Sequence, residues 1–333
     1  MMPGRIYAGR IAHLDLTPQE YRSLIESPFV DELIDVRSGV AAIVVRGDVD
    51  ELASPGSLPV VVMWVGSEFG GDGPSSADVV VSEADVDELL GRIEAAPLAA
   101  RSLAVLLRSL DGVTVDAGLA MESAVYSTLQ AGPEFAAWRA GTSPAPDTDE
   151  RPTVLIERDD DVVVITLDRA HRHNAISTRL RDELALALAV PLFDPSIRSV
   201  FLRGNGPSFC SGGDLGEFGS RPDPATAHVT RLARSPARLI NALRDRITVD
   251  VHGATMGGGI EMAAFARRVR ARPDTRIALP EIGLGLLPGA GGTVSLSRRV
   301  GRRRTAALAL SGRTIDTTVA LRWGLVDELI DGE

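Results

Sequence analysis

Apolar positions along this chain fall into two rhythms, short β-branched runs and longer stretches with helical period. Thr153 to Glu157 and Val162 to Leu167 are β-branched and apolar, and the acidic Arg158-Asp159-Asp160-Asp161 between them predicts a hairpin. Ser177 predicts an N-cap for a helix from Thr178 to about Ala189, with Leu180, Leu184, Ala187 and Leu188 on one face. Arg198 to Arg203 and Ile247 to Val251 read as short buried strands, each followed by a glycine-containing loop. The order strand, helix, strand, loop, helix, strand predicts an α/β fold whose loops carry function.

The first 140 residues follow a different pattern. Thr17-Pro18-Gln19-Glu20 is a capping box with proline at the first helical position, which predicts a short helix to about Glu26. Val40 to Arg46, Leu58 to Val65 and Ala77 to Val81 read as core strands. From Ser82 the spacing turns helical, through Val86, Leu89, Leu90 and Ile93, then Leu103, Leu106, Leu107 and Leu110, then Leu119 to Leu129. No polar residues pair at catalytic spacing there, so this unit is expected to be structural or capping. Gly141 to Pro152 is polar, proline-rich and without apolar period, and predicts a linker between residues 1–140 and 153–333.

Composition narrows the function classes. The chain has 333 residues, 44% of them apolar, enough for a full core and two units. A net charge of −10 argues against nucleic acid as a partner, which calls for a basic stripe. All 35 basic residues are arginine, so any phosphate must be held by guanidinium or backbone N–H. A single cysteine, Cys210, excludes an internal disulfide framework and a cysteine zinc site. No ligand cluster has metal spacing, so no metal is expected. The first residues lack a signal peptide's apolar core, and no run approaches the roughly 18 apolar residues of a membrane helix. A cytoplasmic chain without membrane contact is the expectation.

Two glycine-rich loops carry the candidate chemistry. Gly206 to Leu215 follows a strand and contains paired glycines among small residues, which suits either a tight turn or close approach of a ligand. Gly257-Gly258-Gly259 leads into the apolar run Ile260 to Ala266, placing free N–H groups at a helix N-terminus where negative charge is favoured. Glu261 stands in the first turn of that run, and Glu281 follows in Leu279-Pro280-Glu281-Ile282-Gly283. Carboxylates beside backbone so rich in glycine point to acid/base work on a closely bound substrate.

Six segments place these features in one family. Asn174-Ala175-Ile176, Phe209-Cys210-Ser211-Gly212-Gly213-Asp214-Leu215, Met256-Gly257-Gly258-Gly259-Ile260-Glu261, Leu279-Pro280-Glu281-Ile282, Pro288-Gly289-Ala290-Gly291-Gly292-Thr293 and Gly324-Leu325-Val326 occur in the order and spacing of the crotonase, or enoyl-CoA hydratase/isomerase, superfamily. The resemblance covers residues 152 to 331. It implies a ClpP/crotonase-like ββα spiral core, with an additional N-terminal α/β and helical region in this chain.

The resemblance also implies roles. Ser211 and Gly258 match the two backbone N–H donors that hold a thioester oxygen, and Glu261 and Glu281 match the hydratase pair. Glu261 would activate the water added at C3, and Glu281 would supply the proton at C2. Both being present favours an enoyl-CoA hydratase, a lyase of fatty-acid-type metabolism. The Ser211 to Leu215 loop resembles the segment bordering coenzyme A, so Gly212, Gly213, Asp214 and Leu215 are candidate contacts, together with Asn174, Ala175, Gly257, Pro288 and Gly289. Arg172 lies where a basic residue approaches the CoA phosphates, or is a solvated charge. Cys210 borders the same loop, either as a small buried residue or as a nucleophile, and His252 is expected to be structural. Coenzyme A enters only as part of the substrate, no separate cofactor is implied, and a homo-oligomer, trimer or hexamer, is the family habit.

Two features depart from the pattern. Family members continue beyond the Gly-Leu-Val segment with helices that cover the acyl pocket, whereas Asp85 to Ala140 resembles that segment here. Residues 1–140 are therefore expected to be a degenerate crotonase half whose helices close the site of the second half. The stretch Leu215 to Ala242, which should line the acyl pocket, carries three prolines and several arginines, with Phe218, Leu232, Leu239 and Ile240 as its apolar candidates. Short, polar or aromatic acyl groups fit it as well as a fatty chain. Double-bond isomerisation, cofactor-free oxygenation of an arylacetyl-CoA, and a non-catalytic partner subunit are the alternatives.

Overall fold

The computed structural model describes residues 13–34, 39–143, 150–220 and 223–331. Half of the linker expected over Gly141 to Pro152, residues 144–149, falls outside these residues. In the first unit the chain runs β1 (His13–Leu16), α1 (Pro18–Ile25), α2 (Val30–Leu33), β2 (Ala42–Val45), β3 (Val61–Val65) and β4 (Val79–Val81). Four helices follow: α3 (Val86–Ala95), α4 (Pro97–Ser109), α5 (Val115–Gln130) and α6 (Pro133–Ala140). The strands form one parallel sheet in the order β1-β2-β3-β4. The capping box at Thr17 and Glu20 is present in both directions.

Parallel strands are covered on both faces, and this sheet shows how alternate residues divide the work. Ile43, Val45, Val60 and Val62 pack toward Tyr21 and Ile34. Ala42, Val44, Val61 and Met63 face the opposite way, into the core shared with α3, α4 and the second unit. A buried charge group ties the two units. Asp78, 2% exposed, accepts from Val62 N at 2.8 Å and Arg108 Nε at 2.7 Å. Arg302 of the second unit donates to the same carboxylate at 3.3 Å.

The second unit runs β5 (Val154–Asp159), β6 (Val162–Leu167), α7 (Thr178–Phe193), β7 (Ser199–Gly204), α8 (Pro224–Ala233), α9 (Pro236–Ala242) and β8 (Ile247–Val251). It continues with β9 (Ala254–Met256), α10 (Gly258–Ala263), β10 (Arg268–Ala271), β11 (Arg276–Ala278), α11 (Gly292–Val300), α12 (Arg302–Ser311), α13 (Thr317–Trp323) and β12 (Glu328–Leu329). The main sheet has the order β12-β10-β8-β7-β6-β5, parallel except for the β5–β6 hairpin, and β9 and β11 form a separate parallel pair. The predicted hairpin and the Ser177 cap are both present.

The helix after Ser177 runs four residues past its expected end, through Pro191 to Phe193. Pro191 is buried and its carbonyl accepts from Arg246 at 2.9 Å, although proline offers the helix no N–H. Conversely α10 ends at Ala263, not Ala266, because Ala264 to Ala266 close into tighter turns.

Candidate active site

The loops after β9 and before α11 meet over two glutamates, and glycine is what lets them meet. Gly257 has φ of 45°, and a Cβ built on it would stand 2.3 Å from Glu281 Oε1. A Cβ on Gly292 would stand 2.5 Å from Glu261 Cγ. Side chains at either position would displace a carboxylate.

Four successive N–H groups at the start of α11 are divided between two acids. Glu261 Oε2 accepts from Ala290 N at 2.7 Å and Gly292 N at 2.8 Å. Glu122, which reaches in from α5, accepts from Gly291 N at 2.7 Å and from Thr293 N and Oγ1 at 2.9 and 2.6 Å. The helix dipole favours negative charge at this end. Glu281 differs, since its buried Oε2 has no hydrogen-bond partner among the described residues.

These contacts set the protonation pattern. Burial is the largest cause that raises Glu281, to about 8, and Glu122, to about 7. Burial also drives Glu261 well up, helped by repulsion from Glu281 and Glu122, while the Ala290 and Gly292 N–H bonds pull it back. Three carboxyls so close cannot all ionise. Two helix-end donors stabilise the charge on Glu261, whereas on Glu281 only its own backbone N–H pulls the value down. Burial and mutual repulsion thus keep protons on this cluster, and the hydrogen bonds favour the charged form on Glu261 more than on Glu281.

The two glutamates share a cavity of about 230 Å³ with Ile176, Gly213, Gly258, Gly289 and Ala290. The first unit also lines it, where α5 contributes Leu119, Glu122, Ser123, Tyr126 and Gln130. Phe218 and Leu232 line it as expected, whereas Leu239 and Ile240 pack into the core instead. Tyr126 presses on Gly289, where a Cβ would be 2.3 Å from its ring.

Ser211 does not suit the donor role expected of it. Its N–H donates to the His173 carbonyl at 3.0 Å, and the residue lies off the cavity wall. Two residues on, Gly213 lines the cavity and its N–H has no acceptor among the described residues. The same holds for Gly258 at the start of α10. The loops carrying these two groups touch, for a Cβ on Gly212 would be 3.2 Å from Met256 O.

Several other candidates turn out to build the loops rather than line the cavity. Asn174 is fully buried, accepting from Arg169 N at 2.8 Å and donating to Asn205 O and Ser208 O at 2.9 and 2.8 Å. Ala175 offers its carbonyl to Arg169 at 2.8 Å. Asp214 edges the cavity, but its carboxylate is held by Arg169 at 2.7 Å and by Gly216 N at 3.0 Å. Cys210 is buried behind the wall with its thiol pushed up to about 12, which removes it as a nucleophile. Gly212, at φ of 97°, and Gly257 shape the turns, Pro288 is buried, and Leu215 is half exposed away from the wall. Arg172 sits on the turn Ala170–Arg172, outside the cavity lining. His252 Nε2 donates to the Gly206 carbonyl at 2.9 Å, a structural contact.

Comparison with known proteins agrees with the geometry. Residues 157–333 match the family model described as Enoyl-CoA hydratase/isomerase. The chain is 33% identical over 181 residues to a Mycobacterium bovis protein named "Probable enoyl-CoA hydratase", covering 54% of this chain and 70% of that one. It is 34% identical over 180 residues to the 2,3-dehydroadipyl-CoA hydratase of Escherichia coli, again covering 54% and 70%. Among solved structures, the enoyl-CoA hydratase of Thermoplasma volcanium superposes with a TM-score of 0.51 at 34% identity, over 55% of this chain and 73% of that one. No helix among the described residues is long and apolar enough to cross a membrane.

Proposed function

The chain belongs to the enoyl-CoA hydratase/isomerase family, and from that premise we propose that it adds water syn across the 2,3 double bond of an enoyl-CoA. The thioester oxygen sits between the N–H groups of Gly213 and Gly258, and negative charge develops on it as water adds. Preorganised donors of this kind contribute about 3 to 4 kcal/mol each to the transition state. Glu261, whose anion is favoured by Ala290 N and Gly292 N, takes a proton from the water that attacks C3. Glu281 delivers its proton to C2, and the two acids return to their starting states by exchange with solvent.

The observation that carries this reading is the asymmetry of the pair. One carboxylate has two helix-end donors, and its neighbour has a buried oxygen with none. A double-bond shift needs one acid that moves a single proton between carbons. A charged base beside a separate neutral acid is what hydration requires.

The test is loss of enoyl absorbance when the protein meets crotonyl-CoA. Glu261→Gln and Glu281→Gln are each expected to lower kcat by about 10² to 10⁴ with folding retained. Unchanged rates in both would refute the assignment.

The first unit fits the same proposal as a worn copy of the second. Its strand order β1-β2-β3-β4 repeats the sequential parallel order β6-β7-β8-β10, and its helix α5 lines the cavity. The family's habit extends the proposal to a homo-oligomer, a trimer or hexamer, which light scattering on the full chain would test.

A further inference from the structure

Facing the cavity from the side of α8 is a guanidinium that the hydration chemistry does not use. Arg231 stacks on Tyr126 with its guanidinium carbon 4.4 Å from the ring centroid. Its Nη1 donates to Ser123 O, Ser123 Oγ and Ser127 Oγ at 3.2, 2.9 and 3.0 Å. All of these are neutral acceptors. No carboxylate lies within ion-pair distance of it among the described residues, although the group lines the cavity and is largely desolvated.

The surrounding charges sharpen the point. Arg181 of α7 lines the same cavity, and its like charge acts on Arg231; its own partner is Asp182 at 2.7 Å. Glu122 attracts Arg231, yet both its oxygens are engaged by Gly291 and Thr293. Glu217, another lining residue, accepts from Thr178 N and Oγ1 at 2.7 Å. A guanidinium desolvated against neutral partners is unfavourable unless an anion completes it. The fork of an arginine side chain suits a carboxylate better than a point charge does.

We propose that Arg231, with Arg181 behind it, forms an anion subsite in the acyl pocket, so that the substrate is a short enoyl-CoA whose acyl chain ends in a carboxylate. This rests on the hydratase reading of the same cavity. The subsite accounts for Arg231 in the Leu215 to Ala242 stretch, where a fatty chain would call for a large apolar residue.

The experiment compares two CoA esters of equal length, a six-carbon 2-enoyl-CoA with a terminal carboxylate and 2-hexenoyl-CoA. Wild-type protein should show at least a tenfold higher kcat/KM for the carboxylate ester. Arg231→Gln should reduce that ratio at least tenfold, and Arg231→Lys should restore part of it. A wild-type ratio near one, or a ratio that Arg231→Gln leaves unmoved, overturns the subsite. Calorimetric binding of the two saturated analogues, adipyl-CoA and hexanoyl-CoA, separates this from the hydration reading. Preferential binding of adipyl-CoA without turnover of either enoyl ester would support the subsite and refute hydration. Equal binding would refute the subsite even if both enoyl esters were hydrated.

Discussion

Replacing Glu281 by glutamine removes a proton-binding site whose folded and unfolded affinities differ widely. In the folded chain burial holds this proton up to about pH 8, against an ordinary value of 4.5. Between those values the native state binds more protons than the unfolded state, so wild-type stability falls as pH rises. The penalty is absent below the unfolded value and complete above the folded one. At 1.4 kcal/mol per pH unit the full difference is at most about 5 kcal/mol, and sharing of charge with Glu122 and Glu261 makes it smaller. Glutamine has the shape of the protonated acid and cannot ionise. Thermal unfolding of wild type and Glu281→Gln from pH 5 to pH 9 should therefore show a difference that opens steadily in favour of the variant. A constant difference, or a wild type that gains on the variant at alkaline pH, would refute the claim that Glu281 is a buried neutral acid.

Two further perturbations probe the frame around the pair. Glu122→Ala leaves the N–H groups of Gly291 and Thr293 buried without acceptors, which should lower stability by about 2 to 5 kcal/mol in urea unfolding; a loss under 1 kcal/mol would show that the loop does not depend on α5. Gly257→Ala places a methyl where Glu281 Oε1 now lies and asks alanine to hold φ of 45°, a strain of about 1 to 3 kcal/mol. Its far-ultraviolet spectrum should be near that of wild type while enoyl-CoA turnover falls at least 100-fold, and retained turnover would contradict the packing argument.

Much of this architecture is readable from local pattern, because hairpins, caps and buried strands are encoded within a few residues. The acidic turn before Val162 and the Ser177 cap are of that kind, and so are the glutamates, each marked by adjoining glycines. What escapes is set by partners distant in the chain. Whether Ser211 or Gly213 presents a free N–H depends on the His173 carbonyl, which a left-handed backbone at φ of 52° turns toward Ser211. No spacing within a run of small residues reports that. Glu122 meets its partners across 169 and 171 positions of sequence. A signal was nevertheless there, since Leu119, Glu122, Tyr126 and Leu129 share the buried face of α5. An acid on an apolar stripe calls for a buried partner. Asn174 and Cys210 show the converse, for residues inside a family motif can serve the loop's own folding.

The most direct test of the central claim is turnover of an enoyl-CoA in water enriched in oxygen-18 and deuterium, read by mass spectrometry and by the proton spectrum of the product. Hydration by this pair predicts one labelled oxygen at C3 and one deuterium at C2, added to the same face of the double bond. Deuterium incorporation with a displaced double bond and no labelled oxygen would contradict it.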